Sequence, residues 1–111
     1  MAAVPINLVI EQGTDYYATF TVTNDDGSHL NLSGFTGTCK VKRTYSSSGT
    51  PISLTLGFVD RTAGKIFISM TADQTTNLKA RRYVYEIILT SPNNVKGRVI
   101  EGLIEVTPGV L

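Results

Sequence analysis

The feature that most constrains this chain is alternation. Five stretches place apolar residues at every second position, the period of an extended strand whose successive side chains point to opposite faces. Tyr16, Ala18, Phe20 and Val22 make one apolar row, with Tyr17, Thr19, Thr21 and Thr23 opposite. Cys39 and Val41 alternate with Lys40 and Lys42, and Ile66, Ile68 and Met70 with Phe67 and Ser69. Tyr83, Tyr85, Ile87 and Leu89 face away from Val84, Glu86 and Ile88. That strand is apolar on both faces except at Glu86, which predicts a central position in a sheet. Ile100, Gly102, Ile104 and Val106 alternate with Glu101, Leu103 and Glu105. Weaker strands are expected over residues 7–12 and 52–59, with Leu54, Leu56 and Phe58 sharing a face. Turn residues punctuate the rows: Gly13, Asn24-Asp25-Asp26-Gly27, Ser28 to Gly34, Ser46 to Pro51, Asp60 to Gly64 and Pro92-Asn93-Asn94. Short strands at such spacing predict an all-β fold, an antiparallel sandwich of about seven strands.

One segment does not alternate. In Thr71-Ala72-Asp73-Gln74-Thr75-Thr76-Asn77-Leu78, Thr71 and Gln74 have the spacing of a capping box, so a helical turn is expected over 72–78. It would link the strand ending at Met70 to the one opening at Arg82, with Leu78 plugging an end of the sandwich. Gly102, inside a strand, predicts a bulge or the close approach of a neighbouring side chain such as an aromatic. The whole chain, 1–111, reads as one domain with a core over about 6–107, and its short apolar ends, 1–5 and 107–111, as flexible arms or docking segments.

Composition narrows the function. Ten Lys plus Arg against nine Asp plus Glu leave a net charge of +1, too little to steer the chain onto nucleic acid or an anionic membrane. No apolar run approaches the ~20 residues of a membrane helix. Residues 1–5 lack the basic-then-apolar pattern of a signal peptide, so the expectation is a soluble chain made in the cytoplasm. The only cysteine, Cys39, cannot form an internal disulfide and falls in a core row.

No catalytic, cofactor-binding or metal-binding residue is expected. His29 follows Asp25 and Asp26 in a turn, without a nucleophile elbow of the Gly-x-Ser-x-Gly type. One His and one Cys do not make a zinc site. Asn24, Asp25 and Asp26, with Asp60 farther off, are the nearest approach to a calcium loop and read better as a turn. Glu86, Glu101 and Glu105 lie on strands, where a solvated or interface face explains them better than a glycosidase cleft. Lys40, Lys42 and Arg43, then Lys79, Arg81 and Arg82, then Lys96 and Arg98, form small basic groups, but most aromatics fall in core rows, against a nucleic-acid platform. Only Tyr17, Tyr45 and Phe67 are expected to be exposed aromatics, and the chain has no Trp, which makes a carbohydrate-binding sandwich a secondary reading.

Several segments carry a resemblance: Ile10-Glu11-Gln12-Gly13-Thr14-Asp15; Leu32-Ser33-Gly34-Phe35-Thr36; Gly64-Lys65-Ile66 with Thr71-Ala72-Asp73-Gln74-Thr75; Arg82-Tyr83-Val84-Tyr85-Glu86; and Glu101-Gly102-Leu103-Ile104-Glu105-Val106-Thr107-Pro108. Over about residues 6–108 the chain resembles the immunoglobulin-like sandwich module of tailed-phage structural proteins, and is similar to the N-terminal domain of upper-baseplate proteins. The resemblance implies a non-enzymatic virion protein of the baseplate or tail. Its partners would be other virion proteins, in a homo- or hetero-oligomeric assembly. A capsid decoration protein is the alternative within that class.

Overall fold

Each alternating row becomes a strand because one of its faces is apolar and must be covered. The computed structural model describes residues 4–24, 26–44 and 51–109. Its strands are β1 (Val4–Pro5), β2 (Leu8–Glu11), β3 (Tyr16–Thr21), β4 (Thr36–Lys42), β5 (Ile52–Asp60), β6 (Lys65–Met70), β7 (Arg82–Thr90) and β8 (Lys96–Thr107), with one helix, α1 (Ala72–Thr76). The all-β expectation is met. Tyr45 and the Ser46–Gly49 tract, Asp25 and the outermost residues of both expected arms lie outside the described residues.

The strands form one curled sheet in the order β1-β8-β7-β4-β5-β6-β3, with β2 also on β8. Strand β5 joins the two halves: Leu54 pairs with Cys39 of β4, and from Thr55 onward β5 pairs with β6. The buried rows meet inside the curl. Phe20, Val22, Ile66, Ile68, Met70, Tyr83, Tyr85, Ile87, Leu89, Ile100, Ile104 and Val106 share one core with Cys39, Val41 and Leu54. As its two apolar faces predict, β7 is central, between β4 and β8. A register shift opposite Ile87 and Ile88 lets two consecutive residues of β8, Val99 and Ile100, both turn inward.

The expectation of a wholly antiparallel arrangement is corrected at the start of the chain. Both β1 and β2 run parallel to β8, Val4 opposite Ile100 and Leu8 opposite Ile104. They hold one register, interrupted at Ile6 and Asn7. There the Ile6 N–H donates to the Glu101 carbonyl (2.8 Å), and Asn7 Oδ1 accepts from the Leu103 N–H (3.2 Å) in place of a main-chain carbonyl.

The close approach expected at Gly102 is present, but the approaching group is main chain. A Cβ on Gly102 would stand 2.1 Å from the Ile6 carbonyl oxygen. The aromatic of the expectation is one step removed: Tyr85, paired with Gly102 across the sheet, donates its hydroxyl to that same carbonyl (2.6 Å).

Helix α1 starts at the capping box as expected but spans Ala72–Thr76, shorter than the expected 72–78, with Asn77 as its C-cap. Thr71 Oγ1 accepts from the Gln74 N–H (3.2 Å) and Gln74 Oε1 accepts from the Thr71 N–H (2.9 Å). Leu78 is buried at the end of the core. Thr75, fully buried, was not legible as important. Its hydroxyl donates to the Thr14 carbonyl (2.7 Å) and accepts from the Gly13 N–H (3.1 Å), while Asp15 Oδ1 accepts from the Ala72 N–H (2.6 Å). The Gly13–Asp15 turn is thereby latched to the helix.

Candidate functional site

The chemistry-bearing side chains are dispersed by the fold. Cys39 is buried in the core and desolvation pushes its thiol up to about 12. His29 is exposed, closing the turn as a bridge to Thr23. In that turn the Ser28 hydroxyl and then the Ser28 N–H hold the Asp26 carboxyl below its ordinary value. Asp60 is held down in the same way, first by the Thr62 hydroxyl and then by the Ala63 N–H. Both carboxylates therefore cap their own turns. Among the described residues no group of three or more His, Cys, Asp or Glu gathers where it would hold a metal.

The strand carboxylates face outward and are partly neutralised. Glu86 and Glu101 stand directly opposite one another on β7 and β8, and Arg98 reaches both, Nε to Glu86 at 2.9 Å and Nη1 to Glu101 at 3.1 Å. Two like charges in direct register would repel, and the guanidinium between them removes that cost. Lys40, in register with Glu86, donates to Ser53 Oγ (2.6 Å). Glu105 lies farther along β8, opposite Arg82. Lys40, Arg82 and Arg98 are thus spread along these outward rows.

The other half of the sheet presents a different surface. Strand β3 ends the sheet and among the described strands pairs only with β6. The Val22 N–H donates to the Gly64 carbonyl (2.8 Å) in the same register. Hydrogen-bonded and non-bonded pairs alternate along an antiparallel ladder, so the N–H and C=O groups of Tyr17, Thr19 and Thr21 point away from β6, to the open edge. The side chains of those three residues are exposed on the outer face.

That outer face is aromatic. Gly57 leaves room for the Phe67 ring, whose nearest atoms would lie 2.5 Å from a Cβ at that position. Tyr17, 61% exposed, stacks on Phe67 with centroids 5.2 Å apart and planes inclined by 22°. The two aromatics expected to be exposed within the described residues therefore form one pair. Beside the edge, a cleft of about 370 Å³ opens between Thr19–Asn24 on one side and Val4, Ile6, Val99 and Ile100 on the other.

The two ends of the sheet are protected unequally. At β1, Pro5 contributes no N–H, a common means of blunting an edge. Strand β3 has the sequence Tyr-Tyr-Ala-Thr-Phe-Thr, without charge, proline or glycine. Its edge position was not legible, because the same row of Tyr and Thr suits any half-exposed strand. Comparison of the sequence with protein-family models and with curated proteins finds no match to either.

Proposed function

We propose that this chain is a non-enzymatic structural protein of a tailed-phage particle, a baseplate or tail component that works through protein–protein contacts. The observation that carries the reading is the open β3 edge with its Tyr17–Phe67 pair. Unpaired main-chain groups on an uncharged strand are a template for docking another chain, and folds that avoid such docking guard their edges.

The immunoglobulin-like form implied by the resemblance belongs to the same proposal. That plan groups the second, fifth and fourth strands in one sheet and the third, sixth and seventh in the other. With β1 and β2 counted as one interrupted first strand, β3-β6-β5 and β4-β7-β8 follow that grouping. Tyr83, near the start of the sixth strand of that count, donates its hydroxyl to the Lys79 carbonyl (2.9 Å), which supports a tyrosine corner. The first strand departs from the plan by lying along the last.

Immunogold labelling of purified tailed particles, with an antibody against this chain, tests the function. Label at the tail or baseplate is expected, and particles lacking the protein should show defective tails. Copies in the hundreds over the head would favour capsid decoration. Unlabelled particles that assemble and infect normally without the protein would overturn the virion reading.

A further inference from the structure

We infer that the β3 edge pairs with the β3 edge of a second copy of this chain, antiparallel about a two-fold axis through Thr19. The inference deepens the reading above and rests on its premise that the protein acts through contacts between chains.

The open edge is self-complementary. Its free groups belong to Tyr17, Thr19 and Thr21, spaced evenly about Thr19. Antiparallel pairing of two such edges sets Thr19 against Thr19 and Tyr17 against Thr21 of the other copy. Each becomes a hydrogen-bonded pair exchanging N–H···O bonds in both directions, and every free group of those residues is satisfied. A two-fold axis also brings any charge near it against itself. Strand β3 has none to repel, and Thr–Thr and aromatic–β-branched pairs are among those that stabilise antiparallel strands.

The neighbouring strands extend the match. Register within the chain places Lys65 beside Thr21, Phe67 beside Thr19 and Ser69 beside Tyr17. Across the axis the rows on the outer face become Lys65–Thr21–Tyr17–Ser69, and Phe67–Thr19–Thr19–Phe67, each running from one copy into the other. The exposed Tyr17 and the partly buried Phe67 then lie within a continuous sheet instead of at its margin. The cleft beside the edge is brought towards its own two-fold mate, which offers Val4, 54% exposed, apolar cover.

Sedimentation velocity over a concentration series reads the association directly. The mass is expected to rise from 12.0 kDa towards twice that value. Thr19→Pro should abolish the rise, since it deletes a free edge N–H and no bond of the β3–β6 ladder. Thr19→Lys, a guard residue that keeps the N–H, should act likewise, with the circular-dichroism spectrum showing that it folds. Thr19→Cys places two thiols at the ~5.5 Å Cα separation of a hydrogen-bonded pair, within disulfide range. It should oxidise to a covalent dimer far faster than Val9→Cys, another exposed site, on the other half of the sheet.

A wild-type chain monomeric up to about 1 mM, or a folded Thr19→Lys variant that still dimerises, overturns the inference. If the chain is monomeric yet labels the tail, the virion reading stands and this interface falls. If it dimerises through Thr19 but is absent from particles, the reverse holds.

Discussion

Replacing Gly102 by alanine tests how the first strand is held, and Gly97→Ala supplies a matched control on the same strand. At Gly97 an added Cβ meets nothing within 4 Å. That substitution should lie between no change and about 1 kcal/mol of stabilisation, because alanine only narrows the unfolded ensemble. At Gly102 the Cβ would stand 2.1 Å from the Ile6 oxygen and 2.8 Å from its carbonyl carbon. Neither atom is the end of a flexible side chain, so the main chain between β1 and β2 has to lift from β8. Overpacking of this kind costs about 1–3 kcal/mol. The shift also strips the Ile6 carbonyl of the Tyr85 hydroxyl it accepts from, and an acceptor deprived of its donor costs about 1–3 kcal/mol more. A total of about 2–6 kcal/mol corresponds to a fall in Tm of roughly 10–25 °C for a chain of this size.

Urea and thermal unfolding followed by circular dichroism measure both variants. The two losses at Gly102 share one atom, which adds a second check. Tyr85→Phe alone should cost about 1–3 kcal/mol, but less in the Gly102→Ala background, where the bond to the Ile6 carbonyl is already broken. Gly102→Ala and Gly97→Ala variants equal within about 0.5 kcal/mol, or full additivity with Tyr85→Phe, would refute the account of how Ile6 sits on Gly102.

Two further outcomes follow from buried groups. Thr75→Val keeps the volume but leaves the Thr14 carbonyl and Gly13 N–H without their partner; a loss of about 1–3 kcal/mol is expected, with faster amide exchange at Gly13, and an unchanged Gly13 exchange rate would count against the latch. Cys39 should resist thiol reagents in the native state at pH 8. Because burial raises its folded pKa to about 12 from a starting value of 9.0, the stability tied to its protonated form is intact below about pH 9 and drains away as pH rises towards 12. The slope approaches about 1.4 kcal/mol per pH unit. Urea midpoints between pH 8.5 and 10.5 should therefore fall less steeply in Cys39→Ala than in the wild type.

Much of the fold is written locally. The rows of β3, β6, β7 and β8 are legible because period two assigns faces without reference to partners, and β7 announces its central position by being apolar on both. Helix α1 is legible because Thr71 and Gln74 satisfy each other within one turn. What escapes is non-local. Nothing in residues 4–11 says that they lie along residues 100–107, or in which direction. The Ile6 carbonyl over Gly102 and the Thr75 latch to Thr14 join residues far apart in the chain, so the sequence shows only a strand glycine and one threonine among several. The candidate surface divides the same way: Tyr17 and Phe67 are recognisable as outward aromatics, whereas the open edge of β3 depends on which strand the rest of the chain leaves unpaired.

The pairing of β1 and β2 with β8 also sets an order on synthesis. Asn7 and Leu103, which bond to each other, are separated by 96 residues. At about 5–20 residues per second the opening strand leaves the ribosome roughly 5–20 s before its partner. In that interval β4, β5, β6 and β7 can already pair through their antiparallel neighbours, but the margin of β7 has no occupant and the apolar side of residues 8–10 has no cover. Among the described strands β8 is made last, and it is the one that covers both of those margins. A nascent chain stalled before residue 96 would carry the exposed margins of β3 and β7 together, two unpaired edges that can template pairing with another chain.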